Sequence, residues 1–308
     1  MKYATIGLLI CYIFFSVFFP YKAIAQDEAD SLFLKSDNSV PASPVVQKKI
    51  YEKPKPFSFL TNVPGDLLQI AKAPFQKKNL KADVLIAGLT TLLLRYDQPI
   101  TNSVGKVCER IRLNSSIEFR QLHVHHKATF KFPSNLNSAF YQLGEGTTTM
   151  GIAGGFFIYG KIAHDNRALQ TASDLTEAFL SMGITIQTLK RISGRQAPFR
   201  AKVPGGKWHP FPSFSKYQRH TTNYDAFPSG HLATMMATIT VLAKNYPEKK
   251  WIRPVGYILT GLTGWSMLNN KVHWASDFPL GLGIGYLAGK ISYERHHKKE
   301  LRKEMLPI

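Results

Sequence analysis

Two short stretches decide how this chain folds and what it is built to do: Phe-Pro-Ser-Gly-His at residues 227–231 and His-Trp-Ala-Ser-Asp at residues 273–277. The first is a turn that ends in a histidine at the start of an apolar run. The second places a histidine and a carboxylate four residues apart, so that on a helix both side chains share one face. A carboxylate beside an imidazole fixes its tautomer and makes it a better base or nucleophile. These are the parts that phosphoryl transfer through a phosphohistidine needs.

Taken with Lys190, these stretches resemble the three-part signature of the type 2 phosphatidic acid phosphatase (PAP2) family. Its superfamily also contains bacterial acid phosphatases and vanadium haloperoxidases. The family pattern is Lys-x6-Arg-Pro, then Pro-Ser-Gly-His, then Ser-Arg-x5-His-x3-Asp, and here the third part runs from Ser266 through His273 to Asp277. The resemblance covers residues 80–292 in outline. It implies an all-α, PAP2/haloperoxidase-like bundle of about six core helices.

The resemblance also implies a role for each matching residue. His273 is the expected nucleophile, Asp277 holds its other ring nitrogen, and His231 is the general acid that protonates the leaving oxygen. The implied phosphate ligands are Lys190, the Ser229 hydroxyl and the Gly230 backbone N–H. Glycine allows a close approach of the backbone, and a turn that opens a helix points N–H groups at an anion. No metal and no cofactor are expected.

Two positions depart from the family pattern. The arginine of the first motif is replaced by Ala197, and the arginine of the third motif by Met267. Methionine cannot make the bidentate phosphate contacts of arginine. Arg195 and Lys271 are the predicted replacement phosphate ligands, the latter if residues 269–271 bend inward. The departures leave three outcomes: a rearranged phosphate cradle, a slow enzyme, or an inactive binder.

Three functions therefore compete. The first is an exported, metal-independent phosphatase that hydrolyses a phosphomonoester or a lipid phosphate or pyrophosphate through a phosphohistidine. The alternative is a catalytically impaired relative that binds phosphate or lipid head groups at the cell envelope. The third is a vanadate-dependent haloperoxidase, against which the missing arginines count more, because vanadate needs at least as much positive charge.

The N-terminus reads as a secretory signal. Lys2 supplies the positive region, residues 5–19 are apolar, and Ala-Ile-Ala at residues 23–25 is a cleavage site before Gln26. An uncleaved membrane anchor is the competing interpretation. The predicted organisation is a signal peptide at 1–25, a disordered linker at 26–57, the phosphatase domain at 58–293 and a basic tail at 294–308.

Helices are the dominant prediction for the domain, because strand patterning is weak. The candidate helices are 64–73, 80–95, 148–163, 170–190, 230–245, 253–269 and 275–293. A membrane span needs about 20 apolar residues, and the candidate segments are either too short or rich in glycine. The preferred interpretation is a periplasmic or membrane-associated core, and a multi-pass membrane protein is the alternative.

The charge indicates the kind of partner. The formal net charge is +19, and removal of the signal takes Lys2 and Lys22 and leaves +17. Such a field attracts a phosphorylated small molecule, a phospholipid or an anionic membrane surface. Nucleic acid is not expected, because no recognisable nucleic-acid module accompanies the charge.

A long segment between two motifs and a cluster of three histidines are further candidate functional features. The long segment 194–224 lies between two motifs, and it is predicted to be a substrate-gating lid or, alternatively, a plain surface excursion. His123, His125 and His126 cluster in a polar stretch that is predicted to be a solvated loop, because a metal site would want one more ligand.

Overall fold

Helices make up most of the described chain, which comprises residues 51–124 and 128–304 of a computed structural model. They are α1 (Ser58–Thr61), α2 (Val63–Lys72), α3 (Leu80–Arg110), α4 (Leu136–Leu143), α5 (Gly146–Ile162), α6 (Asn166–Ser193), α7 (Phe214–Arg219), α8 (Gly230–Asn245), α9 (Ile252–Asn269) and α10 (Phe278–Glu304). The predicted all-α class is confirmed. The predicted signal peptide, residues 26–50 of the predicted linker and residues 305–308 lie outside the described ranges.

Seven of these helices correspond to the candidates from the sequence. The largest boundary difference is in α3, which runs past its predicted end at residue 95 to Arg110 and accommodates Pro99 inside the helix. Helix α10 follows a short 3-10 turn, Ala275–Asp277, and continues to Glu304 through most of the predicted basic tail.

Helices α1, α4 and α7 and a two-stranded hairpin have no counterpart in the prediction. Helix α4 is short, and an antiparallel hairpin joins β1 (Phe119–Val124) to β2 (Ala128–Pro133). His123 therefore lies in a strand, which corrects the predicted loop at that position, whereas His125 and His126 lie outside the described residues. Alternation over six residues is a weak signal in a sequence dominated by helical patterns.

Close packing of α10 on α8 brings the two deciding stretches of sequence together. Gly281, Gly285 and Gly289 form a row on α10, spaced one helical turn apart. A Cβ at Gly281 would lie 2.4 Å from the carbonyl oxygen of Ser229, and one at Gly285 would lie 2.1 Å from that of Ala233. Larger side chains would therefore push the helices apart. The glycine row holds the start of α8 against the turn that precedes α10.

The hydrophobic core lies between α6, α8 and α10. One buried cluster comprises Ile70, Met182, Ile186, Ala233, Ile284, Ala288 and Ile291. A second joins α5 to α6 and α8 and comprises Ala153, Leu175, Ala178, Ala237 and Val241. The core thus supports α8, whose first turn carries one of the two histidines of interest.

A buried polar cluster ties α2 to α6 and α10. Arg295 on α10 donates from Nε to Asp66 Oδ1 of α2 at 2.7 Å, and the same nitrogen lies 3.5 Å from Glu177 Oε1 of α6. His296 Nδ1 lies 2.7 Å from Asp174 Oδ1. All three carboxylates are fully buried. Such groups are tolerated inside a protein only when they are paired.

The outer surface carries many large apolar side chains. On α3, α5 and α9 the exposed residues include Val84, Leu92, Phe157, Ile158, Ile162, Val255 and Ile258. Within the described ranges, no helix is long and apolar enough to cross a bilayer.

Candidate active site

The two histidines of interest face each other at one end of the bundle. Ser229 caps α8, with its hydroxyl oxygen accepting the backbone N–H of Leu232 at 3.5 Å, so His231 lies in the first turn of the helix. The ring centroids of His231 and His273 are 6.4 Å apart, and the ring planes meet at 68°. The structure therefore unites the residues that the sequence separates by about forty positions.

His273 is held by Asp277. Its Nδ1 lies 3.2 Å from Asp277 Oδ2, which also accepts the backbone N–H of Trp274 at 2.7 Å. An Nδ1–H that is donated to a carboxylate leaves Nε2 with its lone pair free. The contact forms across an extended residue and the 3-10 turn Ala275–Asp277, whereas the sequence suggested an α-helical face.

Arg195 lies behind Asp277, in full burial. Its Nη1 donates to Asp277 Oδ1 at 2.5 Å and to Ser276 Oγ at 2.6 Å, and its Nη2 donates to Asp97 Oδ2 at 2.6 Å and to the Gly205 carbonyl at 3.1 Å. All four N–H bonds of the two terminal nitrogens are thereby used. The prediction that Arg195 binds phosphate is wrong for this reason: its guanidinium already serves two carboxylates.

Sequence reasoning missed Asp97, on α3. This carboxylate is fully buried and accepts the Ser276 backbone N–H at 2.9 Å and the Ser276 hydroxyl at 2.6 Å, besides its bond from Arg195. Burial raises the pKa of Asp97, and the charge of Arg195 opposes that shift. The only signal in the sequence is an acidic residue among other polar residues, just past the predicted end of that helix.

Lys190 lies beside the N-terminus of α8. Its Nζ lies 3.8 Å from Asp225 Oδ2, and a Cβ at Gly230 would lie 3.9 Å from the same nitrogen. Burial lowers the pKa of Lys190, against the opposing charges of Asp225 and Asp277. An ammonium and the positive end of a helix therefore converge on one place, where they favour an anion.

The surroundings of His231 favour its neutral form. Burial, and to a smaller extent the neighbouring His273 and Lys190, together lower its pKa to about 3. Its Nε2 is buried and has no hydrogen-bond partner among the described residues, and the Tyr141 ring packs against it with centroids 4.4 Å apart. A neutral imidazole whose Nε2 has no partner can take up a proton when an anion binds beside it.

The two departures from the family pattern have different surroundings. Met267 is fully buried, and the hydroxyl of Ser229 points at its sulfur at 3.8 Å. Ala197 is buried in a small apolar cluster with Ala226 and Trp274. A longer side chain at position 267 would therefore contact the Pro-Ser-Gly-His turn. A longer side chain at position 197 would instead lie among Ala226 and Trp274, unless it pointed out of this cluster.

Lys271 lies on the turn before His273, with a left-handed backbone (φ 55°) and an exposed side chain. In the described part of the chain its ammonium has no ion pair, and its carbonyl accepts the backbone N–H of Phe199 at 2.9 Å. Its proposed contact with phosphate remains a prediction.

The long segment 194–224 is folded against the turn that carries His273. It contains α7 and two 3-10 turns, and Gly194 ends α6 with a left-handed backbone (φ 56°). Trp274 Nε1 donates to the Gln196 carbonyl at 2.9 Å. Arg195 forms isolated backbone bridges with both Trp208 and Asp225. The segment thus encloses the back of the site, and its role as a gate remains a prediction.

An apolar cavity of 440 Å³ lies between α5, α8 and α9. Its lining includes Leu143, Ile152, Phe156, Met235, Ile239, Trp251 and Leu259. Of the described residues that line it, Lys249 alone is a charged side chain. Leu143 ends α4, and Tyr141 of the same helix packs on His231.

Parts of this chain are similar to known proteins. A sequence model of the PAP2 superfamily matches residues 172–301. Lipid A 1-phosphatase of Porphyromonas gingivalis is 35% identical over 92 residues, which are 30% of this chain and 20% of that protein. The match therefore spans about a fifth of the relative's length. A solved structure of a transmembrane PAP2-type phosphatidylglycerolphosphate phosphatase from Bacillus subtilis is 18% identical, with a TM-score of 0.38, covering 77% of this chain and 96% of that one.

Proposed function

Because this chain belongs to the PAP2 superfamily, we propose that it is a metal-independent phosphatase that hydrolyses a phosphorylated lipid through a phosphohistidine. The observation that carries the proposal is the facing pair of His231 and His273, with ring centroids 6.4 Å apart, beside the buried ammonium of Lys190. A nucleophile, its orienting carboxylate, an acid and a cation meet in one place. Phosphoryl transfer through a phosphohistidine uses this combination.

The proposed reaction has two steps. In the first, Nε2 of His273 attacks phosphorus, the bond to the leaving oxygen breaks, and His231 Nε2–H gives its proton to that oxygen. In the second, His231 takes a proton from water as the water oxygen attacks the phosphohistidine, and the P–N bond breaks to release phosphate. Asp277 holds Nδ1–H of His273 throughout, as the 3.2 Å contact supports.

Proton delivery by His231 requires that substrate binding change its charge. The pKa of His231 is lowered to about 3 in the empty site, so the imidazole is neutral at physiological pH. A phosphoryl dianion between the two histidines would favour the imidazolium and raise that pKa. Substrate binding would therefore bring the proton that the leaving group needs.

The proposed phosphate ligands are Lys190, the Ser229 hydroxyl, the Gly230 backbone N–H and Lys271. Lys190 and the start of α8 are already adjacent, whereas Lys271 would have to turn its exposed side chain inward. Ser229 currently directs its hydroxyl at Met267 and could redirect it to an oxygen of phosphate. This cradle holds fewer cations than the family pattern, and a slower enzyme is the expected consequence.

A lipid is the favoured substrate class. The matching relative is named for a lipid phosphate, and the 440 Å³ apolar cavity and the exposed apolar side chains of α3 and α5 support contact with acyl chains. A phosphomonoester of a small molecule remains the simpler substrate of the same chemistry. We place the protein on the outer side of the inner membrane, exported by its signal and associated with the membrane surface.

The second candidate is a phosphate-binding or head-group-binding protein without catalysis. It is favoured by Ala197 and Met267, because neither side chain can hold a developing charge. The complete set of His231, His273 and Asp277 favours the phosphatase.

Phosphate release tests the proposal. The mature protein from Gln26 is incubated with chelator and either p-nitrophenyl phosphate or phosphatidic acid, beside His273→Ala and His231→Ala. We expect His273→Ala to abolish release, and His231→Ala to slow release from phosphatidic acid by about 10²–10⁴-fold, the usual contribution of a general acid.

His209→Ala is the control variant, because His209 lies in the long segment and its backbone N–H bonds to the Gly194 carbonyl. It should retain the wild-type rate. Equal release by wild type and His273→Ala would refute the mechanism. No release from wild type, together with saturable phosphate binding, would favour the binder.

A further inference from the structure

Asp97 is a buried carboxylate behind the proposed nucleophile, and it comes from a part of the chain outside the matched residues 172–301. It accepts two bonds from Ser276 and one from Arg195, at 2.6–2.9 Å. We infer that Asp97 is a positioning residue, which sets the orientation of the Asp277 carboxylate and through it the tautomer of His273.

A continuous chain of charged contacts links the four groups. Asp97 Oδ2 lies 2.6 Å from Arg195 Nη2, Arg195 Nη1 lies 2.5 Å from Asp277 Oδ1, and Asp277 Oδ2 lies 3.2 Å from His273 Nδ1. Asp97, Arg195 and Asp277 have no exposed surface, and His273 is 5% exposed. Away from water, hydrogen bonds between ions are strong and polarise one another. The position of each group therefore depends on the next.

The residue type at position 97 matters because every group that faces it is a donor. These donors are the backbone N–H and the hydroxyl of Ser276 and the guanidinium of Arg195. An ionised carboxylate accepts from all three, whereas asparagine must turn its own NH₂ toward one of them. A donor would then oppose a donor, and either Arg195 or the turn Ala275–Asp277 would have to move.

The charge of Asp97 also matters. Arg195 lies between two carboxylates and shares its positive charge between them. Without Asp97, Asp277 would face the whole guanidinium charge and would attract the N–H of His273 less strongly. The phosphate ligands Lys190 and Ser229 would stay in place. Removal of the Asp97 charge should therefore slow the chemical step and leave substrate binding unchanged.

This inference rests on the proposed function, so the test includes a readout that does not depend on activity. Asp97→Asn is compared with Asp83→Asn, which removes the same charge from the same helix at a site with no ion pair in the described ranges. Phosphate release gives kcat and KM, and ¹⁵N NMR of histidine-labelled protein gives the tautomer of His273, assigned from the His273→Gln spectrum.

We expect Asp97→Asn to lower kcat by about 10–100-fold with KM nearly unchanged, as for groups that act through another functional side chain. The His273 signal should change from a single tautomer protonated at Nδ1 to a mixture, and Asp83→Asn should match wild type in both measurements. A folded Asp97→Asn protein with wild-type kcat and a single tautomer would overturn the inference.

The inference can still be tested if the wild-type protein is inactive or if the Asp97→Asn variant does not fold. If wild type releases no phosphate, the proposed function fails, and the tautomer comparison alone tests Asp97. If Asp97→Asn does not fold, Ser276→Ala removes the hydroxyl bond to Asp97 and the bond from Arg195 Nη1, while both ion pairs of Arg195 remain. Ser276→Ala should also lower kcat and give a mixture of His273 tautomers, each to a smaller extent than Asp97→Asn. An unchanged tautomer would overturn the inference.

Discussion

At position 267 one side chain decides how much positive charge surrounds the phosphoryl group. Met267 is fully buried against the Ser229 hydroxyl, at the place where the family pattern has arginine. An arginine here would add a bidentate phosphate ligand, and one such contact is worth about 10²–10³ in rate. Without an anion the same arginine would be a buried, unpaired charge, which costs several kcal/mol.

Met267→Arg should therefore couple phosphate binding to stability. We expect its Tm to fall below that of wild type in phosphate-free buffer, and orthophosphate to raise its Tm by more than it raises that of wild type. We also expect kcat/KM to rise when the variant is folded. Met267→Leu is the control variant, because it keeps the volume and adds no charge. An equal effect of phosphate on Met267→Arg and Met267→Leu would show that position 267 does not face the anion.

The residues proposed to act in the site were more predictable than the residues that hold them in place. His231, His273, Asp277 and Lys190 belong to spaced motifs, and the structure brings them together. The role of Arg195 could not be read from the same motif, because its partner Asp97 lies 98 positions away along the chain. A buried ion pair leaves no periodic signal in a sequence.

At the scale of helices, the buried polar cluster of α2, α6 and α10 makes the stability depend on pH. Burial and, to a smaller extent, the charge of Asp66 raise the pKa of Glu177 to about 8, against the opposing hydrogen bond from Asn62. The folded protein is therefore protonated at Glu177 between pH 4.5 and 8, where the unfolded chain is ionised. Stability should fall as pH rises through this window, by at most about 1.4 kcal/mol per pH unit.

Glu177→Gln tests this dependence. Glutamine stays neutral, can still accept from Asn62, and can donate to the unpartnered Oδ2 of Asp66. We expect urea midpoints of the variant to fall less steeply between pH 5 and pH 8 than those of wild type. His296 retains part of the slope: burial lowers its pKa, but the hydrogen bond and charge of Asp174, with smaller contributions from its other neighbours, together raise the pKa above its ordinary value.

The control is Glu294→Gln, which removes an acidic residue of the same helix as Arg295 from a partly exposed site. It should keep the wild-type slope. Identical slopes in wild type and Glu177→Gln would contradict a protonated Glu177 in the folded state.

The seven longest helices were predicted well because each has a long periodic pattern. The hairpin and the short helices α1, α4 and α7 were missed, since their patterns are short. The extension of α3 past residue 95 was missed for another reason: Pro99 and the polar residues around it suggest an end, while packing against the turn that carries Asp277 continues the helix. Tertiary contacts override local preference at such places.

At the scale of the whole molecule, charge and exposed apolar surface predict contact with an anionic membrane. The formal net charge is +19, or +17 without the predicted signal peptide, and Trp251 exposes 61% of its surface beside Lys249 and Lys250. Aromatic and basic residues together favour the interface of a bilayer. We expect the mature protein to sediment with vesicles that contain phosphatidylglycerol and to be partly released by salt, because a Debye length is about 10 Å at 0.1 M.

The control variant is Lys249→Glu with Lys250→Glu, which reverses the local charge and leaves Trp251 in place. It should bind these vesicles more weakly than wild type. Equal sedimentation of both proteins with neutral and anionic vesicles, at any salt concentration, would contradict an electrostatic contribution.

The most direct test of the account is capture of the covalent intermediate. p-Nitrophenol is a good leaving group that needs little help from an acid, whereas hydrolysis of the phosphohistidine needs His231 as a base. His231→Ala mixed with p-nitrophenyl phosphate should therefore release one burst of p-nitrophenol per site and accumulate protein heavier by one phosphoryl group. The account predicts that this group is acid-labile, maps to His273 and is absent from the His231→Ala, His273→Ala double variant. Phosphate release by wild type without a phosphorylated protein in His231→Ala, or with the group on another residue, would contradict it.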